Sequence, residues 1–271
     1  MAVIALASGK SCGVTCSALA LALSSPRPTL LVEADPFGGS VRAGYLGGEG
    51  SARVGLHRLA AADRQGTLAR EFSQHFVALD REHSGNRLLL PGLTHPSQAP
   101  SLARTWDNIA ALLQVIDQTG FDVIIDAGRI VPESETRLST AAYPAPLLRR
   151  ADLVLLVVRN TQASLAASAP AVQVLREELT HNGTGADALQ VLMIEEGKMT
   201  SSAVTAGLRT PVVAALAWDP DTAQVLTHGH FKKTSRTLHR SARTAHGNIA
   251  AAVGRRRVQL FPAGYPAAAR I

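Results

Sequence analysis

Residues 8–16 read Ser-Gly-Lys-Ser-Cys-Gly-Val-Thr-Cys, between the apolar run 2–7 and a helix-like stretch at 14–24. A glycine-punctuated turn between a strand and a helix turns backbone N–H groups toward an anion, and the helix N-terminus adds partial positive charge. The usual phosphate loop is G-x-x-x-x-G-K-[ST], where the Lys neutralises phosphate oxygens and the hydroxyl binds Mg²⁺. Here Gly9, Lys10, Ser11, Cys12, Gly13, Val14 and Thr15 make a loop one residue shorter, with Val14 where Lys belongs. Thr15 keeps the hydroxyl, and Lys10 offers a cation from the other side of the loop. Together with Cys16 these are the candidate nucleotide contacts, although Ser11 and Cys16 also read as small residues that permit tight packing.

Acids at the ends of apolar runs are the next candidates. Asp35 closes "PTLLVEAD", two residues after Glu33, and Asp126 lies in "FDVIIDAG". Such carboxylates either hold Mg²⁺ and orient water, or accept from the amides of the following turn. Thr15, Asp126 and Asp35 form the candidate metal set, and Lys10 with Asp35 the candidate catalytic pair. Asn160 could approach a nucleotide or cap the helix after it. A rival chemistry is written over the same loop: Gly9-Lys10-Ser11-Cys12-Gly13 also fits G-x-S-x-G, with Ser11 as nucleophile and Asp126 or Asp219 with His228 completing a triad. That motif normally follows several strands, and here it follows the first. Cys12 and Cys16 lack two further ligands nearby for zinc.

Positioning these residues takes a particular scaffold. Apolar runs without alternation at 2–8, 28–35, 86–92, 121–128, 151–160, 187–196 and 211–218 read as strands buried on both faces. Helical patterns alternate with them at 14–24, 53–63, 66–79, 100–120, part of 133–150, 161–179, 219–227 and 234–253. This alternation predicts an α/β fold: a mainly parallel sheet of about seven strands, three layers deep, with helices on both faces. Ligands in such sheets sit beyond the carboxyl ends of the strands, where the loop and both acids fall. The partition expected is one domain over 1–254 and a basic, proline-containing tail over 255–271.

In this order the motifs resemble the ParA/MinD superfamily of P-loop ATPases with a deviant Walker loop, K-G-G-x-G-K-[ST]. "LLVEADPFGG" looks like the family's D-x-D-P strand, with Glu33 in place of the first Asp. "FDVIIDAG" looks like its Walker B strand. "ADLVLLVVRNTQASL" and "PVVAALAWDPDTAQVLTHG" resemble later segments, so the likeness covers most of residues 1–250. The resemblance implies a Rossmann-like P-loop domain that binds ATP and Mg²⁺ in a homodimer, or in a heterodimer with a ParA-like protein. It also implies that Lys10 acts as the signature lysine, reaching the partner's phosphates, and that the chain positions a cargo. The departure at Val14 keeps an alternative open, a non-hydrolysing adaptor module in segregation, conjugation or secretion.

The net charge of +6 is uneven. The first 221 residues hold 18 Lys or Arg against 21 Asp or Glu, while the rest hold nine bases and no acid. On a helix over 236–253, Leu238, Ala242, Ala245, Ile249, Ala252 and Val253 share one face and Arg236, Arg240 and Arg243 the other. With Lys232 and Lys233 these arginines are candidate contacts for DNA phosphates; a solvated helix face is the plainer reading. A membrane role is disfavoured, because the final segment carries Pro262 and Pro266 and no run approaches about 20 apolar residues. Two cysteines and no recognisable leader point to a cytoplasmic protein, nucleoid-associated if it binds DNA.

Overall fold

The computed structural model describes residues 2–49, 53–80, 82–229 and 236–260. Eight strands form one sheet in the order β3-β4-β2-β5-β1-β6-β7-β8. They are β1 (Val3–Ser8), β2 (Thr29–Glu33), β3 (Val77–Ala78), β4 (Arg87–Leu90), β5 (Asp122–Arg129), β6 (Leu153–Arg159), β7 (Leu189–Glu195) and β8 (Val212–Ala217). All pairs are parallel except β3 with β4. The helices are α1 (Val14–Ser24), α2 (Leu56–Arg64), α3 (Leu68–Glu71), α4 (Trp106–Gln118), α5 (Ala145–Arg149), α6 (Gln162–Asn182), α7 (Ser201–Leu208), α8 (Pro220–His228) and α9 (Thr237–Leu260).

The sheet is buried on both faces, which is why its strands read as continuous Val, Leu and Ile. Val3, Ala5 and Ala7 of β1 join one apolar cluster with residues of α2, α4, α5, α6 and α7. Ile4 and Leu6 point the other way, into a cluster with α1, α8 and α9. Strands β2 to β5 lie on one side of β1 and β6 to β8 on the other, so the loop after β1 opens where the winding reverses.

The three-layer α/β architecture is as expected, with differences of detail. The helix predicted over 66–79 is instead α3, a 3-10 turn at Phe72–His75 and the two-residue strand β3. The antiparallel pairing of β3 on β4 overrides the local helical pattern. The start of the 100–120 helix is a 3-10 segment, Pro96–Leu102, because Pro100 cannot donate into an α-helix. Helix α7 went unpredicted. The last helix, expected over 234–253, runs over Thr237–Leu260. Its continuation is fastened by Arg256, 5% exposed, which bonds to Asp187, and by Arg257, which holds Asp152 through two bonds of 2.9 and 2.8 Å. No helix among the described residues is long and apolar enough to cross a membrane. The tail from 261 onward lies outside the described residues.

Candidate functional site

The loop between β1 and α1 is shaped by its two glycines. A Cβ on Gly9 would come within 2.8 Å of Ala171 Cβ and 3.1 Å of the Ala167 carbonyl, so helix α6 passes too close for any side chain. Gly13 is the N-cap of α1 with φ 88°, a left-handed conformation that glycine takes without strain. The amides of Lys10, Ser11, Cys12 and Gly13 donate to no described residue. The first turn of α1 adds its own unsatisfied donors, since its first intrahelical bond outside the turn is Ser17 N to Gly13 O at 2.9 Å. The result is a run of N–H groups that donate to no described residue and are available to an anion.

Side chains along the loop divide sharply. Lys10 and Ser11 are exposed, and Lys10 makes no ion pair among the described residues. Ser11 therefore does not pack, contrary to one reading of it. Cys12 and Val14, each 5% exposed, face the apolar layer of α1 and α9. Val14 thus does more than lack a charge: it is part of the core. Cys12 Sγ lies 3.8 Å from Ser164 Oγ. Cys16 is half-buried, and burial followed by the charge of Asp219 pushes its thiol up to about 11. It packs, as one reading expected.

The acids converge from two neighbouring strands. Asp126 on β5 is 1% exposed. Its Oδ1 accepts from Gly128 N at 3.0 Å, and its Oδ2 is buried without a hydrogen-bond partner among the described residues. Burial pushes its carboxyl up to about 7; the Thr15 hydroxyl works in the opposite direction, and the charges of Asp35 and Glu33 add to the rise. Asp35 follows β2, and its Oδ1 accepts from Phe37 N at 2.9 Å. Burial raises it too, partly offset by that amide and by Arg129. Asp35 therefore caps the turn after β2, as the plainer reading holds, whereas Asp126 accepts from an amide two residues on inside β5. Each spends one oxygen on that bond and keeps the other.

Glu33 belongs to neither the metal nor the loop. Its Oε1 accepts from Ser40 N and Val41 N at 2.5 and 2.7 Å, and Oε2 from Gly92 N at 2.9 Å. It is a buried brace between the loops after β2 and β4. Desolvation raises its carboxyl, and the three amides oppose that.

Thr15, Asp126 and Asp35 supply only hard oxygen donors, the set Mg²⁺ accepts. A buried Asp126 Oδ2 with no close hydrogen-bond partner among the described residues, and only the Thr15 hydroxyl near it to favour its charge, is the kind of atom a cation satisfies. The described residues contain no group of three or more His, Cys, Asp or Glu able to hold a metal alone. The fit is therefore to Mg²⁺ that brings phosphate oxygens with it, and Thr15 and Asp126 would hold it.

Other assignments are corrected. Asn160 does not cap α6; Thr161 does, its side chain accepting from Ser164 N. Asn160 instead clamps the loop after β7, bonding Gly197 and Met199. The hydrolase triad is not assembled. Asp219 caps α8 through Thr222 and receives Leu238 N, while His228 bonds Thr227 and Gln224, and neither bonds Ser11. Arg240 and Arg243 are exposed in the first turns of α9, whose apolar stripe is buried as the spacing requires, while Arg236 is exposed just before the helix and not on its face. Lys232 and Lys233 lie outside the described residues.

Two features escaped the sequence reading. Tyr143 is wholly buried with its hydroxyl unpaired among the described residues, and burial, then Asp35 and Asp126, keep it a neutral phenol. Arg159, paired with Glu196 at 3.1 Å, stacks 5.1 Å from the ring centroid of Trp218, which is 43% exposed. No local signal marks either, because their partners are distant in sequence.

No protein-family model and no curated protein matches the chain. Solved structures do. The septum site-determining protein MinD of Pyrococcus horikoshii, complexed with Mg-ADP, superposes with TM-score 0.65 at 16% identity, covering 94% of this chain and 98% of that one. A variant of McdA from Cyanothece in complex with ATP gives 0.63 at 16%, covering 94% and 96%. A plasmid partition protein of Borrelia burgdorferi bound to AMPPNP gives 0.57 at 13%, covering 92% and 98%. The chain has the P-loop fold of the MinD, McdA and ParA-family proteins.

Proposed function

We propose that this chain is a ParA/MinD-type protein that binds ATP with Mg²⁺ in the loop after β1 and serves to position or partition a cargo. The observation that carries the reading is the buried Asp126 carboxyl beside Thr15, its Oδ2 without a close hydrogen-bond partner among the described residues, together with a loop whose amides at 10–13 donate to no described residue. Backbone amides 10–16 would cradle the phosphates, Thr15 and Asp126 would hold the metal, and Asp35 would orient water. Mg²⁺ would neutralise charge on the phosphates. Lys10, exposed and without an ion pair among the described residues, would meet a partner protomer's phosphates in a homodimer or a heterodimer with a ParA-like chain. Without a lysine at position 14, turnover is slow. Titration calorimetry with ATP, with and without Mg²⁺, tests this: heat that requires Mg²⁺ is expected. No heat at millimolar ATP would sink it.

One observation favours a second reading. Val14 is sealed into the core, so the loop lacks the lysine and has filled its place with apolar packing. This supports a non-hydrolysing adaptor, and it is the reading left if ATP gives no heat.

We also propose that Arg236, Arg240 and Arg243, with Lys232 and Lys233, contact DNA phosphates without sequence preference. Binding should weaken steeply with salt, and Arg236→Ala with Arg240→Ala should reduce it uniformly across sequences. Unchanged affinity in that double variant removes the DNA role.

A further inference from the structure

At the opposite end of the sheet from the loop lies a second basic feature. A cleft of about 310 Å³ opens where β7 begins and just before β8, between α6 and the last turns of α9. Leu189, Pro211 and Ala252 contribute apolar lining, and four arginines line it as well: Arg176, Arg209, Arg255 and Arg256. A single carboxylate, Asp187, shares the cleft, and it is taken by Arg256 at 2.8 Å.

The other three guanidinium groups have no carboxylate partner among the described residues. Arg176 is aimed by two bonds, to the Arg209 carbonyl at 2.9 Å and Thr210 Oγ1 at 3.1 Å. Arg209 ends α7 in a left-handed conformation, φ 49°, which turns the chain at the cleft's edge. Arg255 is exposed on α9. Arg256, 5% exposed, is immobilised by Asp187 and by the carbonyls of Asp152 and Thr184. Like charges gathered around a concave surface repel one another, and an oligoanion relieves that repulsion. Guanidinium forks match phosphate oxygens in pairs. The volume is at the lower end of small-molecule sites, and a cleft of that size does not admit a nucleic-acid duplex.

We propose that this cleft is a second anion site, which takes a small molecule carrying two or more phosphate groups. It is separate from the loop after β1 and does not rest on how that loop is read.

The test is amide NMR of the full chain titrated with tripolyphosphate, without Mg²⁺. Saturable shifts at Gln190, Thr210 and Ala252 are expected, with a dissociation constant distinct from that at Gly13. Arg209→Gln with Arg255→Gln should weaken the cleft response at least about tenfold. It should leave the response at Gly13 unchanged. Arg104→Gln with Arg137→Gln, both exposed and away from the cleft lining, should leave both unchanged. Should the double variant fold poorly, Arg255→Gln alone, on an exposed helix face, should still weaken the cleft response several-fold. Shifts confined to residues 9–16 overturn the proposal. So does a cleft response that survives the loss of Arg255 and Arg209.

Discussion

The Asp35 carboxyl group rests on the bare backbone of Gly128: a Cβ at Gly128 would stand 2.3 Å from Asp35 Cγ. Gly128 also has φ +63°, where side chains are strained. Two strand ends, β2 and β5, are thus brought together by the absence of one methyl group. Gly128→Ala should cost about 2–4 kcal/mol, from strain and overpacking together, and should displace Asp35. Chemical denaturation measures the first effect. The second should appear as slower ATP hydrolysis with Mg²⁺-dependent binding little changed, and unaltered turnover would detach Asp35 from that role.

Asp126 makes stability depend on pH. Its folded-state value of about 7 lies above the ordinary carboxyl value of 3.8, so between these the folded chain holds a proton that the unfolded chain has lost. Stability contributed by this group is present below about pH 4 and falls as pH rises through 7. Asp126→Asn removes the penalty. It should stabilise the protein at pH 8 by on the order of 1–3 kcal/mol and have little effect at pH 4. A variant less stable at pH 8 would show that the carboxylate is already compensated.

Glu33 predicts the reverse sign. Three amides depend on its two oxygens inside the protein. Glu33→Ala leaves them unpaired and should cost roughly 3–5 kcal/mol. Glu33→Gln keeps one accepting oxygen and should cost less. Hydrogen exchange at Ser40, Val41 and Gly92 locates the loss; protection unchanged in the Ala variant would refute the brace.

Restoring a lysine should not restore a phosphate loop. Val14 is 5% exposed among apolar side chains. Val14→Lys must bury an ammonium or drag it out, at about 2–4 kcal/mol. We expect a melting temperature lower by roughly 5–12 °C and ATP turnover no higher than that of the natural sequence. A gain in turnover would mean that the side chain escapes the core at little cost.

The arginines of α9 divide into two kinds. Arg256→Ala strips Asp187 and two carbonyls of a buried donor and should cost about 2–4 kcal/mol. Arg240→Gln should stay within roughly 0.5 kcal/mol, because that side chain faces water. Equal costs would erase the distinction.

Sequence patterns carried the sheet well because doubly buried strands leave unbroken Val, Leu and Ile. They carried the loop through Gly13, whose left-handed φ other residues adopt only with strain, and Gly9, where helix α6 leaves no room for a Cβ. They failed at β3, where two residues pair only because β4 lies beside them, and at α7, whose small residues show little amphipathic contrast. The site acids were legible as strand-terminal carboxylates, but their duties were not. Glu33 and Asp35 are two residues apart, yet one binds amides 59 residues away at Gly92 while the other covers Gly128. Arg256 and Arg257 read as part of a basic tail, because Asp152 and Asp187 lie 69 to 105 residues earlier in the chain.

Helix α9 is held at both extremities by different means. Near its start, Leu238 N donates to Asp219 Oδ2 in the interior; near its close, Arg256 and Arg257 grip aspartates partly open to solvent. Ions in the medium weaken the second fastening more than the first. In concentrated salt the helix should therefore unravel directionally, peeling from residue 260 upward while residues 238–249 stay in place.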